Sequence, residues 1–330
     1  MRKLLLLSAL LALMACKPAQ PNAPIITSAN AALNTTVSPA YQATNSSVQA
    51  IMSVLASDAL EGRDTGSEGI NRAAVFIENY FKEHNVQPYF EEYRDFFDVN
   101  GTKAYNVVGV VPGNDPQLKD QFIVIGAHYD HIGRITPKDG DAIANGANDN
   151  ASGTTTVLEL AQAFAKANNN KRSIIFALFS AEERGLKGSA HLAQRLKEQG
   201  LDLYTMFNVE MTGVPMTTED YLVYLTGYDR SNLAEQFNTY TGTTTIGFLP
   251  QAKEFNLFMR SDNYPFYEVF KVPSHTVSTF DFTNYAYYHQ VDDELELMNF
   301  DHMAKVVNAL FPGLQQMANS AERPIEMTQE

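Results

Sequence analysis

The tightest constraint on this chain is the stretch from Gln121 to Ala161. Phe122 to Ile125 is an apolar, β-branched run of the length of a buried strand. It gives out at Gly126-Ala127, and His128-Tyr129-Asp130 stand at its carboxyl end. In an open α/β sheet that edge is where sites are built. Asp149 follows in the Gly-flanked segment Gly146 to Gly153, ahead of an apolar-periodic helix expected from about Thr154 to Ala167. A strand that must be buried thus carries an imidazole, and the loop leading into the next helix carries a carboxylate.

The pattern recurs downstream. Ser173 to Phe179 is another buried-strand run, and it ends in Ser180-Ala181-Glu182-Glu183. Leu203 to Val209 is a third, ending in Glu210, and His289 stands in a late aromatic loop. Taken singly, His128 reads as a loop histidine and Asp149 as a helix cap. Taken together, three strands each deliver an acid or imidazole at the same kind of end. Oxygen and imidazole donors without thiolates suit zinc or a similar divalent ion. Five candidates are too many for one open zinc site. They suit two ions sharing a bridging carboxylate, roughly 3.5–4 Å apart.

At this point the chain resembles the co-catalytic dizinc aminopeptidases of metallopeptidase clan MH, which include secreted bacterial leucine aminopeptidases. The likeness runs from about Leu55 to Phe311. It rests on Leu60-Glu61-Gly62-Arg63 with Thr65-Gly66-Ser67, His128-Tyr129-Asp130, Gly146 to Gly153, Ala181-Glu182-Glu183, Glu210-Met211, Ser261-Asp262 and His289, in order. The resemblance implies two Zn²⁺ ions, one on His128 and Glu210, the other on Glu183 and His289, with Asp149 bridging. It implies Glu182 as general base, Asp130 holding the His128 ring from behind, and a cis peptide after Asp149. The implied reaction is hydrolysis of a peptide bond at the amino end of a peptide substrate. Asn148, Asn150 and Asn263 depart from the acids or histidine that many relatives carry there. His131 is expected behind or beside the site. Part of the set Phe280, Phe282, Tyr285, Tyr287 and Tyr288 is expected to line a side-chain pocket.

Alternation of strands and helices argues an α/β fold: three layers, helices on both faces of a mixed, mostly parallel central sheet, as in zinc exopeptidases. About 285 residues suffice for one such domain, placed at 48–330. Ahead of it, Arg2-Lys3, an apolar run from Leu4 to Leu13 and Ala15-Cys16 read as a leader of residues 1–15 of lipoprotein type. Cys16 is then the lipid attachment point, residues 16–47 a Pro/Ala/Asn-rich tether, and the protein exported, anchored to an outer membrane facing the periplasm, or secreted. Cys16 is the only cysteine, so no disulfide within the chain is available. The formal charge of −14 argues against nucleic acid as a partner, since phosphate binding needs a basic surface. A monomer is expected.

Finer expectations follow the same rules. Helices are expected from Val48, over Asn71–His84, Ser231–Tyr240 and Asp301–Ala318, with an edge strand over Tyr89–Val99 and a strand at Ala104–Val111. Pro112-Gly113-Asn114-Asp115 reads as a short hairpin-like link to the strand at Phe122. The tail after Glu322 reads as loose. Two rival functions remain: a single-zinc, glutaminyl-cyclase-like aminoacyltransferase, and a peptide-binding lipoprotein that kept the fold without catalysis. Metal stoichiometry separates the first. A lost ligand or base would mark the second, and the sequence retains all of them.

Overall fold

The computed structural model describes residues 41–217 and 219–328. The leader, Cys16 and residues 16–40 of the tether lie outside the described residues. Among those described, nine strands form one mixed sheet: β1 (Gln87–Pro88), β2 (Arg94–Val99), β3 (Thr102–Val111), β4 (Gln121–His128), β7 (Ser173–Phe179), β8 (Asp202–Glu210), β9 (Val223–Leu225), β10 (Ile246–Gly247) and β11 (Ser274–Ser278). β5 (Arg134–Lys138) and β6 (Asp141–Ile143) make a separate small hairpin between His131 and Gly146. The centre of the sheet runs β7-β4-β8-β11, all parallel, and antiparallel partners flank it on both sides.

Period-2 alternation divides the central strands between two cores. Ile123, Ile125, Ile174, Phe176, Leu178 and Phe207 face one side, packed under α1 (Asn45–Leu55), α2 (Glu68–Glu83), α3 (Gly153–Ala167), α5 (Leu233–Thr241) and α8 (Phe300–Asn319). Val124, Ile175, Ala177, Phe179 and Met206 face the other, under α4 (Lys187–Glu198) and α7 (Asn263–Phe270). The short α6 (Pro250–Glu254) lies beyond β10 in sequence. Strands buried on both faces carry mostly apolar residues, which is why β4 and β7 read as near-continuous runs. No helix among the described residues is long and apolar enough to cross a membrane.

Three expectations need correction. β3 and β4 are not a hairpin pair, because β7 lies between them, antiparallel to β3 and parallel to β4. Residues 41–47, given to the tether, are packed: the Tyr41 hydroxyl reaches the buried carboxylate of Glu159, and the Ala43 backbone exchanges two hydrogen bonds with the Asn308 side chain, both 2.9 Å. Thr44 caps α1, which starts at Asn45. The tail is not loose either. Ile325 is buried, Arg323 pairs with Asp202, and Met327 bridges to Ser231.

One buried arginine ties the loops under the site together. Arg63 is 1% exposed and spends its guanidinium on four backbone carbonyls. Nε donates to Tyr129 (2.7 Å), Nη1 to Asn145 (2.6 Å) and Leu55, and Nη2 to Gly146 (2.9 Å). Gly62 lets the chain pass beneath, at φ +68°, where a Cβ would stand 2.4 Å from the Ala144 carbonyl oxygen.

Candidate metal centre

Strand register builds the first half of the site. Gly126 on β4 lies opposite Asn208 on β8, so His128 and Glu210, each two residues further on, arrive together at the carboxyl edge. His128 Nε2 is 3.2 Å from Glu210 Oε1 and 3.3 Å from Asp149 Oδ1. Beyond β7 the backbone turns through Ala181 at φ +58°, which sends Glu182 and Glu183 back over the same edge. Glu183 Oε2 is 3.1 Å from His289 Nε2, and His289 Nε2 is 3.2 Å from Asp149 Oδ2. The structure therefore brings all five expected donors together, with one oxygen of Asp149 facing each set. The Asp149–Asn150 peptide is cis.

The spacing fits cations, and of these pairs His128 Nε2–Glu210 Oε1 alone also has hydrogen-bond geometry. Donors on a tetrahedral zinc at about 2.0–2.1 Å stand roughly 3.3 Å from one another, and the donor pairs named above lie between 3.1 and 3.3 Å. Asp149 Oδ2 and His289 Nε2 are buried and find no hydrogen-bond partner despite their closeness. Among protein groups alone, imidazoles carry the countercharge. Burial would lower the His289 pKa, but the carboxylates of Asp149 and Glu183 outweigh it and raise it to about 10. Burial likewise opposes protonation of His128, and Glu182 and Glu210 overcome it. Burial would raise the Asp149 carboxyl, but the imidazoles of His128, His289 and His131 beside it outweigh that and hold the group well below the usual carboxylate range.

Glu182 stands beside this cluster, on the wall of a cavity of about 150 Å³ that Asp149 and Glu210 also line. Burial, reinforced by Glu210 and Asp262 against the pull of His128, pushes its carboxyl well above the ordinary value. Asp130 lies behind the His128 ring as expected, and it does more. Its backbone carbonyl, 3.2 Å from His128 Nδ1, is the nearer partner, and its carboxylate sits at 3.7 Å. That carboxylate accepts instead from Thr65 Oγ1 and from the backbone N–H of Glu182, both at 3.2 Å. It thus fixes Glu182 as well as the His128 loop.

Two of the asparagines that depart from the family pattern, Asn150 and Asn263, have structural reasons. Asn150 donates to the Val209 carbonyl and accepts from the N–H groups of Gly153 and Met211, all at 3.0 Å. A carboxylate could not donate. Asn263 donates to the carbonyls of Phe258 and Ser274, whereas Asn148 only accepts, from Gly213 N–H at 2.9 Å, and nothing in the structure explains its amide nitrogen.

Of the aromatic set, Phe280, Phe282 and Tyr288 line the cavity, joined by Tyr224, Met211 and Leu257. Tyr285 and Tyr287 do not line it. Tyr285 donates 2.6 Å to Asp293 Oδ1, and Tyr287 packs edge-on against it. Asp293 is the residue that sequence reading missed. Fully buried, it accepts from the backbone N–H of Asn148 (2.7 Å) and Asp149 (3.0 Å), holding the bridging loop from the segment that carries His289. Nothing in Val291-Asp292-Asp293-Glu294 distinguishes it from a surface acid, since only the fold brings its partners near.

Comparison with known proteins agrees with this geometry. The sequence profile of Peptidase family M28 matches residues 106–311, and the chain belongs to that family. A curated relative, a probable zinc metalloprotease of Pyrenophora teres f. teres, is 35% identical over 158 residues, which is 47% of this chain and 32% of the relative. This chain thus spans about a third of that relative's length. Among solved structures, the LapA aminopeptidase of Legionella pneumophila superposes with a TM-score of 0.68 at 21% identity, over 84% of this chain and 72% of that one. A glutaminyl cyclase of Porphyromonas gingivalis superposes with a TM-score of 0.64 at 13% identity, over 84% and 99%. These likenesses show the fold, which hosts both chemistries. The choice between them rests on the site.

Proposed function

We propose that this protein is a metallo-aminopeptidase that removes N-terminal residues from peptides, using two zinc ions held by His128, Glu210, Glu183 and His289 with Asp149 between them. The observation that carries the reading is Asp149, whose two carboxylate oxygens face two separate imidazole–carboxylate sets. When bound, a divalent pair supplies Lewis acidity and lowers the cost of forming hydroxide near neutrality. The chain's own groups do the rest. Glu182 takes the proton of the attacking water and returns it to the leaving amine, a role its place on the cavity wall beside Asp149 and Glu210 supports. The free α-amine of the substrate lies against the carboxylates at the cavity wall, and its side chain enters between Phe280, Phe282 and Tyr288. The glutaminyl-cyclase-like alternative needs one ion only. It leaves the second donor set, His128 and Glu210, without a task.

The test is zinc analysis of the purified protein together with cleavage of a panel of aminoacyl-anilides, with and without chelator. Two zincs per chain and chelator-sensitive release support the reading, and one zinc with cyclisation of N-terminal glutamine replaces it. The localisation proposal is separate: the chain is exported and anchored through a lipid on Cys16. Its support is the leader sequence alone, and loss of labelled fatty-acid incorporation in Cys16→Ser tests it.

A further inference from the structure

We propose that His131 is a positioning residue that aims Glu183 at its cation by occupying one carboxylate oxygen and leaving the other free. This rests on the two-ion reading above and adds a residue that the five-donor set does not contain. His131 is fully buried, and its backbone N–H donates to the Arg63 carbonyl at 3.3 Å. Its ring is wedged: a Cβ on Gly146 would stand 2.5 Å from it, and the His289 ring meets it edge-on at 5.6 Å. From that fixed seat, Nδ1 reaches Glu183 Oε1 at 2.9 Å with hydrogen-bond geometry, while it stays 3.7 Å from Asp149 Oδ2. Glu183 Oε2 is the oxygen left facing His289.

The tautomer follows from the other nitrogen. His131 Nε2 is buried and has no partner. A proton placed there would strand a buried N–H and set two lone pairs, Nδ1 and Oε1, against each other at 2.9 Å. A proton on Nδ1 makes the bond to Glu183 and leaves only a lone pair unmatched. The His131 ring lies among the Asp149, Glu183 and His289 donor atoms, within 4.8 Å of each, and a proton on Nδ1 turns that nitrogen to Glu183 in place of an ion. Hydrogen bonds of this kind typically carry about 10–100-fold in metal affinity.

The experiment measures zinc affinity of the full domain by competition with a chromophoric chelator, for wild type, His131→Ala and His131→Asn, in which the amide nitrogen can take the place of Nδ1. His131→Leu, which keeps the buried volume, replaces His131→Ala if the latter does not fold. The expected result is a loss of about 10–100-fold at one of two zinc classes in His131→Ala, the other class unchanged, and affinity within a few-fold of wild type in His131→Asn. The same loss in His131→Asn would make His131 itself a ligand and overturn the proposal. Unchanged affinity in His131→Ala, or equal loss at both classes, would also overturn it. Wild type binding fewer than two zincs would instead remove the two-ion reading, and this proposal with it.

Discussion

Replacing Arg63 by methionine removes the hydrogen bonds that tie α1, the His128 loop and the bridging-aspartate loop to one point. Four buried carbonyls lose a donor in Arg63→Met; those of Leu55, Tyr129 and Asn145 are left unpaired, while Gly146 keeps the Ala151 N–H at 3.1 Å. Each unpaired carbonyl costs on the order of 2 kcal/mol in a core, or about 6 kcal/mol together. Against this stands the charge's own desolvation. Burial lowers the guanidinium pKa from its ordinary 12.5 to about 10 even with Asp293, Asp130 and Asp149 near it. That corresponds to about 3 kcal/mol, which the neutral variant recovers. The expected net loss is about 3 kcal/mol, a sizeable share of the roughly 5–15 kcal/mol that holds a domain folded. Urea unfolding followed by circular dichroism measures it. Arg63→Lys should fall in between, because one ammonium cannot span four carbonyls. A loss below about 1 kcal/mol in Arg63→Met would refute the argument, showing that the carbonyls find water or that the loops do not depend on this point.

Three further outcomes are expected. Glu182→Gln should keep its zinc and lose at least about a hundredfold in turnover, measured by metal analysis and anilide release; near-normal turnover would remove the base assignment. His275 is buried as a neutral ring, Nδ1 donating to the Thr226 carbonyl at 2.9 Å and Nε2 accepting from Ser231 at 2.7 Å, and burial lowers its pKa to about 4. The unfolded chain binds that proton near pH 6.5 and the folded chain only near 4, so stability falls as pH drops between these values, by up to about 3 kcal/mol. Urea midpoints of His275→Asn should fall less steeply over that window, and parallel profiles would contradict this account. Phe280→Ala should cut the preference for large apolar over small N-terminal residues by about tenfold, read from kcat/KM on paired substrates; an unchanged ratio would move the side-chain pocket elsewhere.

The central sheet was legible because its strands are buried on both faces, so β4, β7 and β8 read as apolar runs with polar ends. The acids and imidazoles at those ends were legible for the same reason, since hydrophobicity stops where the site starts. Other features depend on contacts that no local pattern encodes. β10 is two residues long and α6 is five, too short for a period to register. The position of β7 between β3 and β4 is a long-range choice, and local turn chemistry at Pro112-Gly113 pointed to a hairpin instead. Ile325 in the tail looked like one apolar residue among polar ones, yet it is buried, with its N–H on the Tyr204 hydroxyl at 3.1 Å. His131 and Asp293 act through the direction of one nitrogen and one carboxylate, which only tertiary packing sets.

The grip of Asp293 on the backbone N–H groups of Asn148 and Asp149 has a temporal side. Those two amides wait for an acceptor that lies 145 and 144 positions later in the chain. A polypeptide that emerges amino end first carries its earliest donors, His128 and Asp149, long before the clasp that shapes them exists. The cradle for the ions therefore closes only after Asp293 has been made. A fragment cut short before Asp293 would hold its carboxylates without the frame that makes them a site.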